Sequence, residues 1–247
     1  MTTVLKLGGS VITDKHEPET IDHDALETAA TILGKASETT DLVLVHGGGS
    51  FGHPAAVEHG ISADDGSHEA ESVVAVHRAM GRLNDAVIDV LQSKGVPAVP
   101  VRPLSLLTKQ VADTQSLVCP TEPVQTMLAE GFVPVLHGDV VVSLGQGATV
   151  VSGDDIVVAI AEALSAPRVG VCSTVPGVLD QNGEVIPEIT NYAEVAAALG
   201  ESDATDVTGG MAGKVKALLG VDGTASIFGL DELARFLETG EAGTIIR

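Results

Sequence analysis

Short apolar runs alternate with stretches of helical periodicity along this chain, and the alternation predicts its elements. Residues 4–7 form a buried-strand run that ends in Gly8-Gly9. Ala25, Leu26, Ala29, Ala30 and Leu33 share one helical face, with Asp22 placed to cap its start. Residues 42–45 form a second buried strand, ending in His46-Gly47-Gly48-Gly49. Val73, Val76, Met80, Leu83, Val87 and Leu91 recur at helical spacing and predict a long helix over residues 69–91. Strands follow at 96–99 and 132–136, with a short helix at 123–130 between them. Gly145-Gln146-Gly147, flanked by residues 139–143 and 149–151, reads as a hairpin. Ile156, Ile160, Ala163 and Leu164 mark a helix, and residues 168–172 a buried strand. Met211, Val215, Leu218 and Leu219 mark another helix. Strands at 225–228 and 243–246 enclose a last helix at 230–237.

This order predicts an α/β fold with a mostly parallel sheet covered by helices. No internal repeat, low-complexity tract or long linker interrupts it. One domain over residues 1–247 is expected, with a soft boundary near 165–167.

Composition narrows the class. Hydrophobic residues make up 44% of the chain, enough for a sizeable core, but aromatics only 2%, so that core is aliphatic. Asp and Glu number 34 against 13 Lys and Arg, a net charge of −21. An apolar fraction this high excludes a disordered acidic chain and leaves a folded protein with an acidic, solvated surface. Self-repulsion on that scale destabilises a compact state unless salt screens it, so a high-salt cytoplasm is expected. The same charge argues against nucleic acid or an anionic membrane as partner. Cys119 and Cys172 have no metal-binding spacing and make no disulfide framework, which fits a reducing compartment. No basic, apolar leader opens the chain and no run reaches membrane-spanning length.

Against this acidic background the seven lysines are informative: Lys6, Lys15, Lys35, Lys94, Lys109, Lys214 and Lys216. Lys6 and Lys15 bracket Gly8-Gly9-Ser10, and Lys214 follows Gly209-Gly210-Met211-Ala212-Gly213. Lysine beside glycine turns points to a bound anion. A glycine lets backbone N–H groups approach a phosphate closely, and a helix opening at the turn adds positive partial charge. Gly8-Gly9 and Gly47-Gly48-Gly49 both stand between a strand and a helix.

Two familiar phosphate motifs do not fit. Gly47, Gly49 and Gly52 match the dinucleotide fingerprint, but they follow the second strand, and the region about 20 residues on reads as helix, without the expected acidic residue. The stretch from Gly209 to Lys214 is too short for a P-loop, and Val215 stands where a hydroxyl is needed. Ser152-Gly153-Asp154-Asp155 reads as a capping box that also puts a carboxylate where it can hold phosphate-binding lysines. Gly138-Asp139 follows a buried strand and does similar work or simply starts a turn. His46, ending a strand, reads as structural. His53 stands beside the second glycine turn and is a candidate anion contact by position.

Together, Lys-x-Gly-Gly-Ser at the first strand, His-Gly-Gly-Gly at the second and Gly-Gly-Met-x-x-Lys late in the chain resemble the amino acid kinase superfamily, collinearly over essentially the whole sequence. Within it, the segments from Lys6 to Lys15 and from His46 to Ala55, especially Ser50-Phe51-Gly52-His53, look like isopentenyl phosphate kinases; fosfomycin-type kinases look similar here. The resemblance implies a three-layer αβα sandwich, with the acceptor in residues 1–165 and ATP in residues 166–247. It implies Lys6, Gly8, Gly9, Ser10, Gly49, Gly210 and Lys214 on the nucleotide, and Gly48, His53 and Gly153 on the acceptor. Lys15, Lys6, His53 and Asp154 form the catalytic set: Lys15 on the transferring phosphoryl group, Asp154 orienting lysines, and Gly8, Gly9, Gly48 and Gly49 donating N–H groups. Mg²⁺ would arrive on ATP, and a homodimer is the family expectation. Relatives carry an Asp-rich turn where this chain has residues 173–180, so the adenosine contacts are not carried over. A kinase for another small phosphate, phosphonate or carboxylate, or a nucleotide-binding module without catalysis, remains an alternative.

Overall fold

The structure is a computed structural model, and it describes residues 1–14, 16–36, 41–110, 117–199 and 210–247. The strands are β1 (Thr2–Leu7), β2 (Asp41–His46), β3 (Ala98–Pro100), β4 (Thr108–Lys109), β5 (Leu117–Val118), β6 (Val133–His137), β7 (Asp139–Ser143), β8 (Gly147–Val151), β9 (Arg168–Ser173), β10 (Glu188–Ile189), β11 (Thr224–Gly229) and β12 (Thr244–Ile246). The helices are α1 (Gly9–Ile12), α2 (His23–Ala36), α3 (Gly49–Glu58), α4 (Ala70–Ser93), α5 (Pro103–Leu106), α6 (Glu122–Ala129), α7 (Gly153–Leu164), α8 (Tyr192–Leu199), α9 (Gly210–Leu218) and α10 (Leu233–Thr239).

Eight strands form one sheet in the order β10-β12-β11-β9-β1-β2-β6-β3. Every pairing in it is parallel except β11 with β12. Side chains alternate across a strand, so the apolar runs feed two cores. Leu5, Leu7, Leu42 and Leu44 pack on one face against α2 and α4, through residues such as Leu26, Leu33, Leu83 and Val87. Val4, Val43, Val45 and Leu136 pack on the other against α7 and α9, through Ile156, Ile160, Val215 and Leu218. The result is the three-layer αβα arrangement expected from the sequence.

A second sheet, β5-β4-β7-β8, was not expected beyond its hairpin. β4 and β5 are two residues each, too short to carry a period-2 signal. Its inner face and α4 share a small third core of Ile61, Val76, Val140 and Ala148. The caps follow the sequence: Asp22 Oδ1 accepts from Ala25 N at 3.0 Å, and Ser152 and Asp155 form the capping box of α7. The chain runs from β1 toward β2 on one side and from β9 toward β11 on the other. The carboxyl ends of β1 and β9 therefore flank a topological switch point, where α/β sheets open a crevice.

Candidate active site

A cavity of about 380 Å³ opens at that crevice. Its floor is the set of turns after β1, β2, β6 and β9, and its walls are α3, α4, the β8–α7 turn and α9.

Lys6, the one charged side chain of β1, faces the α7 side, because it alternates with Leu5 and Leu7. Its Nζ lies 2.6 Å from Asp154 Oδ1 in the first turn of α7, and Lys214 Nζ of α9 lies 3.7 Å from the other oxygen, Oδ2. One carboxylate thus gathers two ammonium groups from different layers. Lys6 is 6% exposed and Asp154 14%. Burial pushes the Lys6 ammonium below its ordinary value of 10.5, and Asp154 opposes that shift. Gly153 makes room for the pair: a Cβ there would stand 3.2 Å from Lys6 Cε and from the His46 carbonyl oxygen.

The two glycine turns lie backbone against backbone. A Cβ on Gly9 would sit 2.3 Å from Gly49 N, and one on Gly47 would sit 2.5 Å from Gly9 N. Gly49 also needs its φ of +48°. The glycines therefore serve loop contact as well as anion approach. Gly9, Ser10, Gly48 and Gly49 donate their N–H groups to no other protein atom among the described residues. Gly8 differs from expectation. Its N–H is taken by the Cys172 carbonyl at 2.9 Å, which extends the β1–β9 ladder by one bond. Gly8 lines the cavity but does not have a free N–H to give a phosphate.

Hydroxyls stitch the turns together. Thr13 Oγ1 donates to the Gly9 carbonyl at 2.8 Å and accepts from Ser50 N at 3.1 Å. Pro54, inside α3, has no N–H to give the carbonyl four residues back, which is that of Ser50. That carbonyl instead accepts Glu19 N at 3.1 Å, docking the segment around residues 16–20 on the start of α3.

His53, on α3, is exposed and lines the cavity mouth. Gly48, Gly49, Gly153, Ser10, Asp154 and Lys214 line it with Lys6 and Gly9. Gly210 opens α9 at φ +57° without lining the cavity; its neighbour Met211 does. Lys15 lies outside the described residues. Nothing in the sequence distinguishes the residues at the apolar end of the cavity from the core stripe of the long helix. Val76 and Met80 of that helix supply it, with Ala56 of α3 and Val150 of β8. Their helical spacing was visible, but it is equally the spacing of core residues. Asp139 also reaches the wall, its Oδ2 held 2.7 Å from His77 Nδ1. Burial raises the Asp139 carboxyl above its ordinary value, and the hydrogen bond to Asp139 raises the His77 imidazole. No group of three or more metal-ligating side chains occurs among the described residues.

Ammonium groups and free backbone N–H donors around a crevice at a sheet switch point make a site for phosphates, with an apolar recess alongside. Sequence comparison agrees with that class: residues 1–221 match the Amino acid kinase family, and the chain belongs to it. Within the family it is similar to isopentenyl phosphate kinases. It is 57% identical over 244 residues to the isopentenyl phosphate kinase of Haloferax volcanii, covering 99% of this chain and 98% of that one. It is 37% identical to that of Methanocaldococcus jannaschii, covering 87% and 85%. Among solved structures, an isopentenyl phosphate kinase superposes over 100% of both chains with a TM-score of 0.84 at 28% identity. The product complex of the Thermoplasma acidophilum enzyme does so with a TM-score of 0.78 at 27% identity.

Proposed function

We propose that this protein transfers the γ-phosphoryl group of ATP to isopentenyl phosphate, giving isopentenyl diphosphate and ADP. The observation that carries the reading is the Lys6–Asp154–Lys214 cluster, facing the free N–H groups of two glycine turns across a cavity whose other end is apolar.

The acceptor is a phosphate monoester with a second pKa of about 6, so at neutral pH it is largely a dianion and already nucleophilic. No general base is required. An acceptor oxygen attacks the γ-phosphorus in line as the bond to the β-phosphate oxygen breaks, and ADP leaves with that electron pair. The barrier lies in bringing two phosphates together, and fixed positive charge offsets it best in a site that excludes water. Lys6 and Lys214 hold the nucleotide phosphates, and Asp154 offsets the repulsion between the two ammonium groups and holds both at the cavity. Lys15 stabilises the transferring group. Gly9, Ser10 and Gly49 serve the nucleotide; Gly48, Gly153 and His53 serve the acceptor phosphate. The five-carbon tail lies along Val76 and Met80, where burial contributes roughly 0.8 kcal/mol per CH₂.

ATP fits the donors present. For Mg²⁺ the carboxylates among the described residues form no cage, and Asp154 is engaged by two lysines. The ion is carried by the ATP phosphates, and no protein step is assigned to it. The same reading takes the acceptor to lie mainly on residues 1–165 and the nucleotide on residues 166–247. It takes the working form to be a homodimer in a salt-rich cytoplasm, which sedimentation across a KCl series tests. The activity is tested by ADP release from ATP and Mg²⁺ with isopentenyl phosphate, N-acetylglutamate, UMP and fosfomycin offered separately.

A further inference from the structure

Two buried histidines lie beneath the cavity in equivalent places. His46 ends β2 and His137 ends β6; they are register partners, both 0% exposed, with ring centroids 5.4 Å apart. Each precedes a glycine and aims Nδ1 at that glycine's carbonyl oxygen, at 3.0 Å for His46 to Gly47 and 2.9 Å for His137 to Gly138. A carbonyl only accepts, so Nδ1 carries the proton in both rings.

For His46 a second contact agrees with that tautomer. Its Nε2 lies 3.1 Å from Asn84 Nδ2, on the buried side of α4. With Nδ1 protonated, Nε2 accepts from the Asn84 amide. The reversed amide would place an oxygen against Nε2, demand the proton there and leave the Nδ1 lone pair facing the Gly47 carbonyl. The charged and titratable groups around the two rings are Arg102, His77 and Asp139. Burial, with Arg102 acting in the same direction, pushes the His46 imidazole down to about 4, so it stays neutral.

The peptide that follows is trans, as are all the described peptides. Its C=O and N–H point opposite ways. A Gly47 carbonyl drawn toward the His46 ring therefore turns the Gly48 N–H away from it, and Gly48 lines the cavity. Two successive glycines have no Cβ to resist a peptide flip. A flipped peptide would present a carbonyl oxygen to a phosphate.

We propose that His46, locked by Asn84 as its Nδ1–H tautomer, is a positioning residue that pins the Gly47–Gly48 peptide with its N–H toward the bound phosphate. This rests on the reading of the cavity as a phosphate-transfer site. His46→Leu keeps the bulk and removes the donor; His46→Asn returns an amide N–H close to the place of Nδ1. In the wild-type full chain, ¹⁵N NMR of the imidazoles is expected to show His46 protonated on Nδ1 and unchanged between pH 8 and 5. His46→Leu is expected to raise the KM for isopentenyl phosphate roughly tenfold, the effect of one hydrogen bond to a charged group. The loss in kcat should be smaller, and His46→Asn should restore most of the KM. An Nε2–H tautomer, titration between pH 6 and 7, a folded leucine variant with wild-type KM, or an asparagine variant no better than leucine would each overturn the proposal. If the leucine variant does not fold, the tautomer measurement alone decides. If wild-type protein turns over no acceptor, the kinase reading fails separately, and pyrophosphate binding to the same variants by calorimetry decides the positioning role.

Discussion

Asp154 holds Lys6 at 2.6 Å, and with its other oxygen it stands 3.7 Å from Lys214, so a single carboxylate sets the spacing of the two ammonium groups that face the cavity. Losing that charge has a defined consequence. In Asp154→Asn, Lys6 loses the interaction that opposes its desolvation and deprotonates at lower pH. The alkaline limb of the pH–rate profile, already below 10.5, is expected to move further down. At neutral pH kcat/KM for ATP should fall roughly tenfold to a hundredfold, in line with the 1.5–3 kcal/mol of a charge-assisted hydrogen bond. A variant with the wild-type profile would show that Asp154 does not govern these lysines.

His53 is exposed at the cavity mouth, and its imidazole makes no hydrogen bond to another described residue. His53→Ala is therefore expected to leave unfolding within about 0.5 kcal/mol of wild type, as surface changes do. Its KM for the acceptor should rise roughly tenfold, with the KM for ATP little changed. Steady-state kinetics with each substrate varied in turn separates the two, and full activity removes His53 from the mechanism.

The contact of the glycine turns is steric. Gly9→Ala places a methyl 2.3 Å from Gly49 N, a backbone atom and not the end of a flexible side chain. The turns must part, which costs about 1–3 kcal/mol of stability and displaces donors from both phosphates. Activity should fall at least a hundredfold, since a misplacement on the order of 1 Å is enough for that. Gly220→Ala is the control: its Cβ meets only the Ala217 carbonyl, at 3.4 Å, and should be tolerated. Equal activities in the two variants would contradict the account of the turns.

The net charge of −21 makes stability depend on screening. The Tm is expected to rise with KCl from dilute buffer to molar salt. A Tm that falls with added KCl would show that the acidic surface is not a response to salt.

Much of this was legible in the sequence, and the reason is local. The strand runs 4–7 and 42–45 end in glycine clusters, which mark both the element and the turn that lines the cavity. Scarce lysines in an acidic chain stand out, so Lys6 and Lys214 could be singled out before their convergence was visible. The capping box at Ser152 and Asp155 is a four-residue signal and folds as read. What was hidden depends on contacts between distant segments. Gly8 gives its N–H to Cys172 because β1 and β9 run in parallel register, which nothing near Gly8 announces. Val76 and Met80 share their helical stripe with core residues such as Leu83 and Val87, so only the placement of α4 distinguishes wall from core. The use of Pro54 to free the Ser50 carbonyl for Glu19 likewise needs the fold.

The central claim is tested most directly by acceptor-dependent ADP release from ATP and Mg²⁺ in high KCl, with product analysis. The account predicts rapid release with isopentenyl phosphate, formation of isopentenyl diphosphate, and little release with N-acetylglutamate, UMP or fosfomycin. Release with one of those acceptors and not with isopentenyl phosphate, from folded protein, would contradict it.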